Sequence, residues 1–329
     1  MSNTKIKNIL KNKKKLINKS MILCIGDIIL DNNINGVINR ISPEAPIPIL
    51  LIKDESYHLG GAGNVAKNIA SLGGNVTLLY LSNKKKSSTI VCDLLKKEKK
   101  INSIEIKVDD FDTPLKKRYK NNLKQILRVD NENDKFILNK KTRLIILKIL
   151  KNEIKKYNLI ILSDYNKGLL DKNLIQEIIK IANKNNITIV ADPKKKDLSS
   201  YANANLITPN EKEITDAAKK KSLSEKQIIA FSNKIIKENN IHDILTTRSN
   251  KGMLLVNKEY TNKFIACAKK VVDVTGAGDT VIGVLSLMLA IGVNKKDAVM
   301  ISNYAAGLVI GKYGTETIKL KDLLKLNDQ

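Results

Sequence analysis

The feature of this sequence that most limits its fold is the alternation of short apolar runs with longer segments of helical periodicity. Residues 21–29 and 75–81 are typical of buried strands, whereas residues 62–72 and 171–183 have the spacing of amphipathic helices. Repeated strand–helix alternation of this kind predicts an α/β fold, with a mostly parallel sheet covered by helices on both faces. Residues 36–53 contain three prolines and break the pattern, so we expect extended chain outside the main layers there.

The charge is strongly positive but evenly distributed. The 329 residues include 58 Lys and Arg against 33 Asp and Glu, which gives a formal net charge of +25. A nucleic-acid-binding surface concentrates its basic residues on one face or stripe. Here they are spread along the whole chain, so we interpret the excess as a compositional bias and do not expect a nucleic-acid partner.

Cysteine and histidine are too sparse to build a site. The three Cys and two His are far apart in sequence and form no C-x-x-C pair, which argues against a disulfide framework or a Cys/His zinc site.

The first twenty residues carry seven Lys and no acid, and we predict a basic, disordered extension over residues 1–20. No apolar run is long enough for a signal peptide or a membrane helix, so we expect a cytoplasmic protein.

The strongest local motif covers residues 273–280, where a strand-like run leads into an apolar helix. Gly276 and Gly278 allow a tight turn that exposes backbone N–H groups at a helix N-terminus, a favourable place for an anion. Asp279 falls beside that anion, where a carboxylate is costly unless it accepts the proton of an attacking hydroxyl. The alternative is a glycine-rich turn in which Asp279 merely starts the helix. Local chemistry leaves the two readings about equal.

A second motif, at residues 58–64, combines Gly60, Gly61 and Gly63 with Asn64. The glycines permit close backbone approach, and the Asn64 amide suits sugar hydroxyls. Gly61 and Gly63 could also be half of a dinucleotide-binding fingerprint. The full G-x-G-x-x-G is absent and no clear buried strand precedes the motif, so a dehydrogenase is the weakest hypothesis.

A third motif follows Pro209, where a helix is expected to start at Asn210. Asn210 and Glu213 are three residues apart, as in a capping box. The functional alternative is a pair of oxygen ligands for Mg²⁺ or its waters.

Polar residues also follow several predicted strands. Asp27, Asp31, Asp164 and Lys194 lie at or near such strand ends. Ligands of parallel sheets collect outside the carboxyl ends of the strands, which makes these residues better candidates than ordinary surface charges.

Together these motifs resemble the ribokinase-like (PfkB) family of carbohydrate kinases over about residues 20–318. The Gly60-Gly61 motif lies early and the Gly276-Ala277-Gly278-Asp279 motif late, as in that family. The segment from Arg40 to Pro48, which contains Ser-Pro-Glu-Ala-Pro, resembles the heptose-phosphate kinases among them. The resemblance implies a three-layer α/β sandwich over residues 21–318 with a small β lid formed by about 34–53 and part of 112–130, followed by a tail at 319–329.

The resemblance also implies a reaction, in which ATP phosphorylates the C1 hydroxyl of D-glycero-β-D-manno-heptose 7-phosphate. Mg²⁺ would assist, and a monovalent cation is a further candidate ion. In this family the lid also serves dimer formation, so a homodimer is expected. The implied base is Asp279, with Gly276, Ala277 and Gly278 as the anion hole. The implied nucleotide-binding residues are Asn210, Glu211, Lys212, Glu213, Thr247, Arg248 and Gly252, with Asn210 and Glu213 holding the metal through water. The implied substrate-binding residues are Asp27, Asp31, Gly60, Gly61, Asn64, Lys116, Arg118, Asp164 and Lys194, of which Lys116, Arg118 and Lys194 are the candidates for the 7-phosphate.

Some positions depart from the family pattern. Residues 82–84 are Ser-Asn-Lys, whereas such kinases often have Gly-Asp there. The difference puts the conformation of one loop that supports the site in doubt. In bifunctional relatives of these kinases an appended adenylyltransferase domain carries a His-x-Gly-His signature. This signature is absent here, so we expect a separate enzyme to transfer the nucleotidyl group in the later step. Two further hypotheses stay open: a related kinase with another sugar or sugar phosphate as substrate, and a non-catalytic protein that binds polyanions.

Overall fold

A computed structural model gives the fold of residues 3–122, 124–133, 136–268 and 271–325. The strand predicted at residues 75–81 is present as Asn75–Ser82, and the strands of the molecule build two separate sheets. In chain order the strands are β1 (Met21–Gly26), β2 (Ile28–Ile41), β3 (Pro48–Gly61), β4 (Asn75–Ser82), β5 (Ile101–Lys107), β6 (Leu115–Asn121), β7 (Lys124–Asn131), β8 (Leu159–Ser163), β9 (Thr188–Asp192), β10 (Leu206–Ile207), β11 (Asp243–Thr247), β12 (Met253–Asn257) and β13 (Thr261–Phe264).

The main sheet has nine strands in the order β13-β12-β11-β10-β9-β8-β1-β4-β5. All neighbours from β11 to β5 pair in parallel, whereas β12 and β13 add an antiparallel hairpin at one edge. The parallel strands are buried on both faces, which explains their continuous apolar runs. Both the mostly parallel sheet and the α/β class are confirmed.

Helices cover both faces of this sheet, each with its own apolar core. The helices are α1 (Asn3–Lys19), α2 (Ala62–Ser71), α3 (Lys86–Lys96), α4 (Lys140–Glu153), α5 (Lys172–Lys184), α6 (Glu211–Ala217), α7 (Glu225–Asn239), α8 (Ala277–Ala290), α9 (Lys295–Val309) and α10 (Leu320–Leu324). One core contains side chains of α1–α3 and α8–α10, and the other contains side chains of α4–α7. This is the predicted three-layer arrangement.

The smaller sheet is the lid, with strand order β3-β2-β6-β7. Strands β2 and β3 form a long antiparallel pair, and β6 joins β2 in parallel. The predicted strand 21–29 is therefore wrong as one unit, because the chain leaves the main sheet at Asp27 and enters the lid at Ile28. The lid strands run from Ile28 to Gly61 and are longer than the predicted 34–53.

The N-terminal region corrects our prediction of a disordered extension over 1–20. Residues Asn3–Lys19 form helix α1, whose Ile6, Leu10 and Ile17 are buried in the core. Because they are four and seven residues apart, these side chains lie on one face of the helix and form an apolar stripe. The many lysines of this segment hide the stripe when only composition is considered. At the other end, Leu320–Leu324 of the predicted tail form α10, with Leu323 fully buried. Residues 1–2 and 326–329 of these two segments lie outside the described residues.

The loop at residues 82–84 is well supported despite its departure from the family pattern. The side-chain amide of Asn83 donates to the Phe111 carbonyl and to Asp112, and its side-chain oxygen accepts from Ser88. Asn83 therefore links the end of β4 to α3 and to the chain entering the lid. In the described part of the chain, no helix combines the length and apolar character that spanning a membrane requires.

Candidate active site

The predicted functional residues gather at the carboxyl edge of the main sheet, below the lid. Three groups can be distinguished there: a carboxylate at the start of α8, a carboxylate on lid strand β2, and a charged cluster after β9 and β10. The parallel register brings the ends of β1, β8, β9 and β10 together, as expected for ligand sites in such sheets.

Asp279 lies in the first turn of α8 and is only 6% exposed. Its Oδ2 accepts a 2.7 Å hydrogen bond from the Asn64 amide, and its Oδ1 accepts one from the Tyr165 hydroxyl. Burial raises the pKa of Asp279 to about 6, even though these two donors lower it. Each carboxylate oxygen keeps a lone pair for a further donor. Asp279 is thus suited to receive a proton near neutral pH.

The turn before α8 has the predicted open backbone. Gly276 adopts a left-handed conformation with φ of 80°, and a Cβ there would lie 2.8 Å from the Asn64 amide nitrogen. A Cβ at Gly278 would meet nothing within 4 Å, so its surroundings are open. The N–H of Ala277 donates to the Val274 carbonyl at 3.2 Å. Of the three residues predicted to form the anion hole, Ala277 therefore uses its N–H within the turn, and Gly276 and Gly278 stay the stronger candidates.

The second group surrounds Asp31 of β2, which is 5% exposed. Arg118 of β6 donates to Asp31 Oδ1, and a Cβ on Gly60 would lie 2.4 Å from Asp31 Oδ2. Glycine at position 60 therefore makes room for the carboxylate. Lys116, the register partner of Asp31, lies 3.9 Å from Glu132, and burial lowers its pKa.

Gly61 follows Gly60 as the last residue of lid strand β3, directly before α2. It has a positive φ of 56°, and a Cβ there would lie 2.5 Å from the Asp27 carbonyl oxygen. The preceding chain is the long antiparallel strand β3, which the sequence did not reveal. Since β3 belongs to the lid, the Gly61/Gly63 pair does not follow a parallel strand as a dinucleotide fingerprint would.

The third group is centred on Asn210 and Glu213 at the start of α6. They form the predicted capping box, with two reciprocal bonds of 2.8 Å. Thr247, at the end of β11, is bridged to Asn210 in parallel. Lys194 lies between two carboxylates, 3.0 Å from Asp192 and 3.0 Å from Glu213. Burial alone would lower the pKa of Lys194, but these two carboxylates raise it.

This placement separates Lys194 from Lys116 and Arg118, with which we had grouped it for the 7-phosphate. Lys116 and Arg118 lie side by side on lid strand β6, whereas Lys194 is bonded to the segment implied for the nucleotide. The geometry therefore favours the nucleotide side for Lys194, and its assignment to the 7-phosphate stays a prediction.

Most of the remaining nucleotide candidates form a charged border next to α6. Arg248 is buried, donates to Glu225 at 2.7 Å, and lies 3.8 Å from Glu211. Glu211 also pairs with Lys251 at 2.8 Å. Gly252 has a φ of 79°, and a Cβ there would lie 1.9 Å from the Phe264 carbonyl oxygen, so only glycine fits. Lys212 is exposed on the outer side of this border.

Asn210 and Glu213 fit Mg²⁺ held through water rather than by direct ligation. Their oxygens suit a hard cation, but Glu213 already binds Lys194 with Oε1 and the Asn210 N–H with Oε2. Among the described residues, no group of three or more His, Cys, Asp or Glu forms a protein-only metal site. Mg²⁺ in proteins usually keeps several waters and binds partly through substrate phosphates.

Asp27 and Asp164 lie at the predicted edge but are occupied by the protein itself. Asp27 accepts the backbone N–H groups of Tyr165, Lys167 and Leu169 at 3.0–3.1 Å, and it is 1% exposed. Asp164 is fully buried; it accepts from the Tyr201 hydroxyl and pairs with Lys195 at 3.1 Å. Both carboxylates are thus engaged by loop and core contacts, which argues against their predicted role as sugar-binding residues.

Tyr165 is the functional residue that our reading of the sequence missed. Its N–H is held by Asp27, its hydroxyl donates to Asp279, and Lys194 lies 5.3 Å from the centre of its ring. It connects the base to the charged cluster of the third group. The available signal was its position two residues after strand β8, in line with the other strand-end residues.

Comparison with known proteins agrees with this geometry. Residues 19–322 match the pfkB family of carbohydrate kinases. The bifunctional protein HldE of Histophilus somni is 40% identical over 307 residues, and that of Rhodospirillum rubrum is 34% identical over 308 residues. These matches cover 93% and 92% of this chain but only 63% and 61% of those proteins.

Solved structures show the same fold. Phosphofructokinase-2 from Escherichia coli in complex with potassium has a TM-score of 0.75 at 19% identity, covering 93% of this chain and 97% of that chain. Ribokinase from Arabidopsis thaliana complexed with ribose and ATP has a TM-score of 0.71 at 16% identity, covering 94% and 99%. The family match extends over nearly the whole sequence, including the Asp279 motif. This chain belongs to the pfkB family of carbohydrate kinases, which are ATP-using phosphotransferases with an alcohol group as acceptor.

Proposed function

We propose that this kinase transfers the γ-phosphoryl group of ATP to the C1 hydroxyl of D-glycero-β-D-manno-heptose 7-phosphate. The product would be the 1,7-bisphosphate, an intermediate towards ADP-heptose and the lipopolysaccharide core. The substrate rests on the resemblance of the segment from Arg40 to Pro48 to heptose-phosphate kinases, and on the level of identity with the HldE proteins. Since ATP is the co-substrate, we propose that the reaction takes place in the cytoplasm.

The observation that carries the chemistry is the environment of Asp279. Its carboxylate is buried, has a pKa raised to about 6, and is held by two side-chain donors. It can accept the C1 hydroxyl proton while the hydroxyl oxygen attacks the γ-phosphorus and ADP leaves. The N–H groups of Gly276 and Gly278, at the positive end of α8, would stabilise the charge on the transferring phosphoryl group.

The charged cluster after β9 and β10 would receive the nucleotide. Lys194 is a fixed cation beside Glu213, and Asn210 and Glu213 would hold Mg²⁺ through water. When bound, Mg²⁺ neutralises negative charge on the ATP phosphates. Asp31, with its partner Arg118, lines a cavity on the inner side of the lid and can bind sugar hydroxyls. Closure of the lid would keep water away from the phosphoryl group.

The direct test is ADP release from Mg-ATP with a panel of heptose 7-phosphate, fructose 6-phosphate, ribose and fructose, in potassium and in sodium buffer. We expect strong turnover with the heptose phosphate alone. Turnover with another member of the panel would keep the kinase but replace the substrate. Absence of turnover by folded protein on the entire panel would reject this proposal.

We also propose a homodimer formed through the lid. The lid carries unusually exposed apolar side chains, among them Ile41, Ile47, Ile52 and Leu127, which are 55–61% exposed. Such a cluster is typical of a protein–protein interface. Sedimentation should show a dimer that Leu127→Lys weakens. Ile137→Lys is the matched control, because Ile137 is 83% exposed but lies outside the lid strands. A monomeric wild type would contradict the proposal.

A further inference from the structure

A cavity of about 410 Å³ opens between the inner face of the lid and two loops of the main domain. On the lid side it is lined by residues of β2 and β6 that alternate along their strands and pair in register. It begins at Asp31 and Arg118 and continues to the β6–β7 hairpin at Lys120 and Lys124. The cavity therefore extends from the sugar-binding carboxylate along the lid.

The cations implied for the 7-phosphate are already matched by carboxylates. Arg118 donates to Asp31, and Lys116 lies 3.9 Å from Glu132. Each of these cations would have to share or give up a carboxylate partner in order to bind a phosphate. Their net contribution to a negatively charged group is reduced accordingly.

Lys120 and Lys124 differ in this respect. Neither has a carboxylate within 4.0 Å in the described ranges, which break at residues 123, 134–135 and 269–270. Both line the cavity, together with the amide side chains of Asn122 and Gln125. Lys120 acts electrostatically on Asp273 and lowers the pKa of that carboxyl, but within the described ranges neither lysine is held in an ion pair. Two such ammonium groups with neighbouring amide donors are a suitable setting for a phosphate.

The opposite wall also offers polar groups with little excess negative charge. Thr315 lines the cavity, and its buried hydroxyl has no hydrogen-bond partner in the part of the chain that the structure describes. The carboxylate of Asp273 lies on this wall too, but it accepts the N–H groups of Thr275 and Gly314 at 2.9 and 3.0 Å. Asp31, the other acid of the cavity, is paired with Arg118.

We propose that Lys120 and Lys124 form the subsite for the substrate's own phosphate group, at the far end of the cavity from Asp31. This inference rests on the proposed function and names residues that determine specificity within it. A sugar held at Asp31 with C1 towards Asp279 places its terminal carbons along the cavity. The terminal phosphate then reaches Lys120 and Lys124 of strands β6 and β7, while Arg118 and Lys116 position Asp31 and Glu132.

The test compares Lys120→Gln, Lys124→Gln and the double variant with Lys117→Gln as the matched control. Lys117 is on the same strand as Lys120 but does not line the cavity, whereas Arg118 and Lys120 do. We expect the double variant to raise the KM for heptose 7-phosphate by about 10- to 100-fold, with the KM for ATP unchanged. With the same heptose lacking its phosphate, all variants should match the wild type.

The outcomes separate this subsite from the proposed function. If the wild type turns over heptose 7-phosphate and the double variant has the same KM, the subsite is overturned and the function stands. A rise in the KM for ATP instead would assign the cavity to the nucleotide and also overturn the subsite.

If the wild type uses no sugar phosphate, inorganic phosphate is titrated calorimetrically into the wild type and the double variant. Binding that is lost in the double variant but kept in Lys117→Gln supports the subsite without the proposed function. Equal binding, or none by the wild type, overturns it. Unchanged thermal melting of the variants confirms in each case that they are folded.

Discussion

Asp27 and Asp279 are two buried carboxylates at the same edge of the sheet, and their surroundings give them opposite roles. Burial raises both pKa values to about 6. Asp27 accepts three backbone N–H groups that cannot move away without unfolding a loop. Asp279 accepts only the side chains of Asn64 and Tyr165, which can rotate. A carboxylate held by the backbone stabilises the fold, whereas one held by side chains stays available to a substrate hydroxyl.

The two sites are also mechanically connected. The loop that Asp27 holds carries Tyr165, and Tyr165 donates to Asp279. The structural carboxylate thus positions one of the two donors that orient the reactive one. Substitutions at these positions should separate the stabilising role from the chemical role.

The largest effect is expected for Asp279→Asn, which removes the proton acceptor but nearly keeps the size of the side chain. We expect kcat to fall by about 10²- to 10⁴-fold. ATP binding, measured by calorimetry, and the thermal melt should show that the site is otherwise intact. An unchanged kcat would refute Asp279 as the base.

Asp27→Ala should affect stability first. It leaves three buried backbone N–H groups without their acceptor, and we expect a loss of about 3 kcal/mol in the free energy of unfolding. Asp279→Ala is the matched comparison, because its donors are side chains that can find other partners. Equal destabilisation in urea by the two variants would remove the distinction between backbone-held and side-chain-held carboxylates.

Tyr165→Phe should change the pH dependence of catalysis. The Tyr165 hydroxyl lowers the pKa of Asp279, so its loss raises that pKa and moves the acid limb of kcat/KM to higher pH. The other titratable groups that act on Asp279, namely Asp192, Lys194 and Cys24, stay in place. We expect a loss of roughly fivefold at pH 6 and a smaller loss at pH 8.

The control for Tyr165→Phe is Tyr201→Phe, which removes an equivalent hydroxyl from Asp164 instead of Asp279. Its acid limb should remain where the wild-type limb is. A shared shift in both variants would show that the effect does not come from the Tyr165–Asp279 bond.

The smallest effect concerns stability against pH. The folded-state pKa of Asp279, about 6, is above its ordinary value of 3.8, so the folded state binds the proton more tightly than the unfolded state. This stability is fully present below pH 3.8 and is lost as the pH rises through about 6. Asp279→Asn should therefore be more stable than the wild type at pH 7, by roughly 1–3 kcal/mol, with no advantage at pH 4. A difference in melting temperature between Asp279→Asn and the wild type that is the same at pH 4 and pH 7 would contradict this prediction.

Much of the site was predictable because its signals are local. The Gly276-Ala277-Gly278-Asp279 turn, the Asn210–Glu213 capping box and the polar strand ends are short-range patterns. The structure shows them at the expected places except for Asp31, which lies within lid strand β2. Helix α1 was missed because its lysines dominated the composition, although Ile6, Leu10 and Ile17 already form an apolar stripe. The identity of the lid strand β2 was missed because one residue, Asp27, separates it from β1.

The sequence by itself determined the α/β sheet, the glycine turn at residues 276–278 and the place of Asp279 at the start of a helix, since apolar periodicity and glycine conformation act within a few residues. Only the tertiary structure decided which charges face each other. Asp27 is held by the loop after β8, Asp164 by Tyr201, and Lys194 pairs with Glu213 of helix α6. Such pairings join residues far apart in the chain, and electrostatic and hydrogen-bond energies depend on distances of a few ångströms that only the packed structure sets.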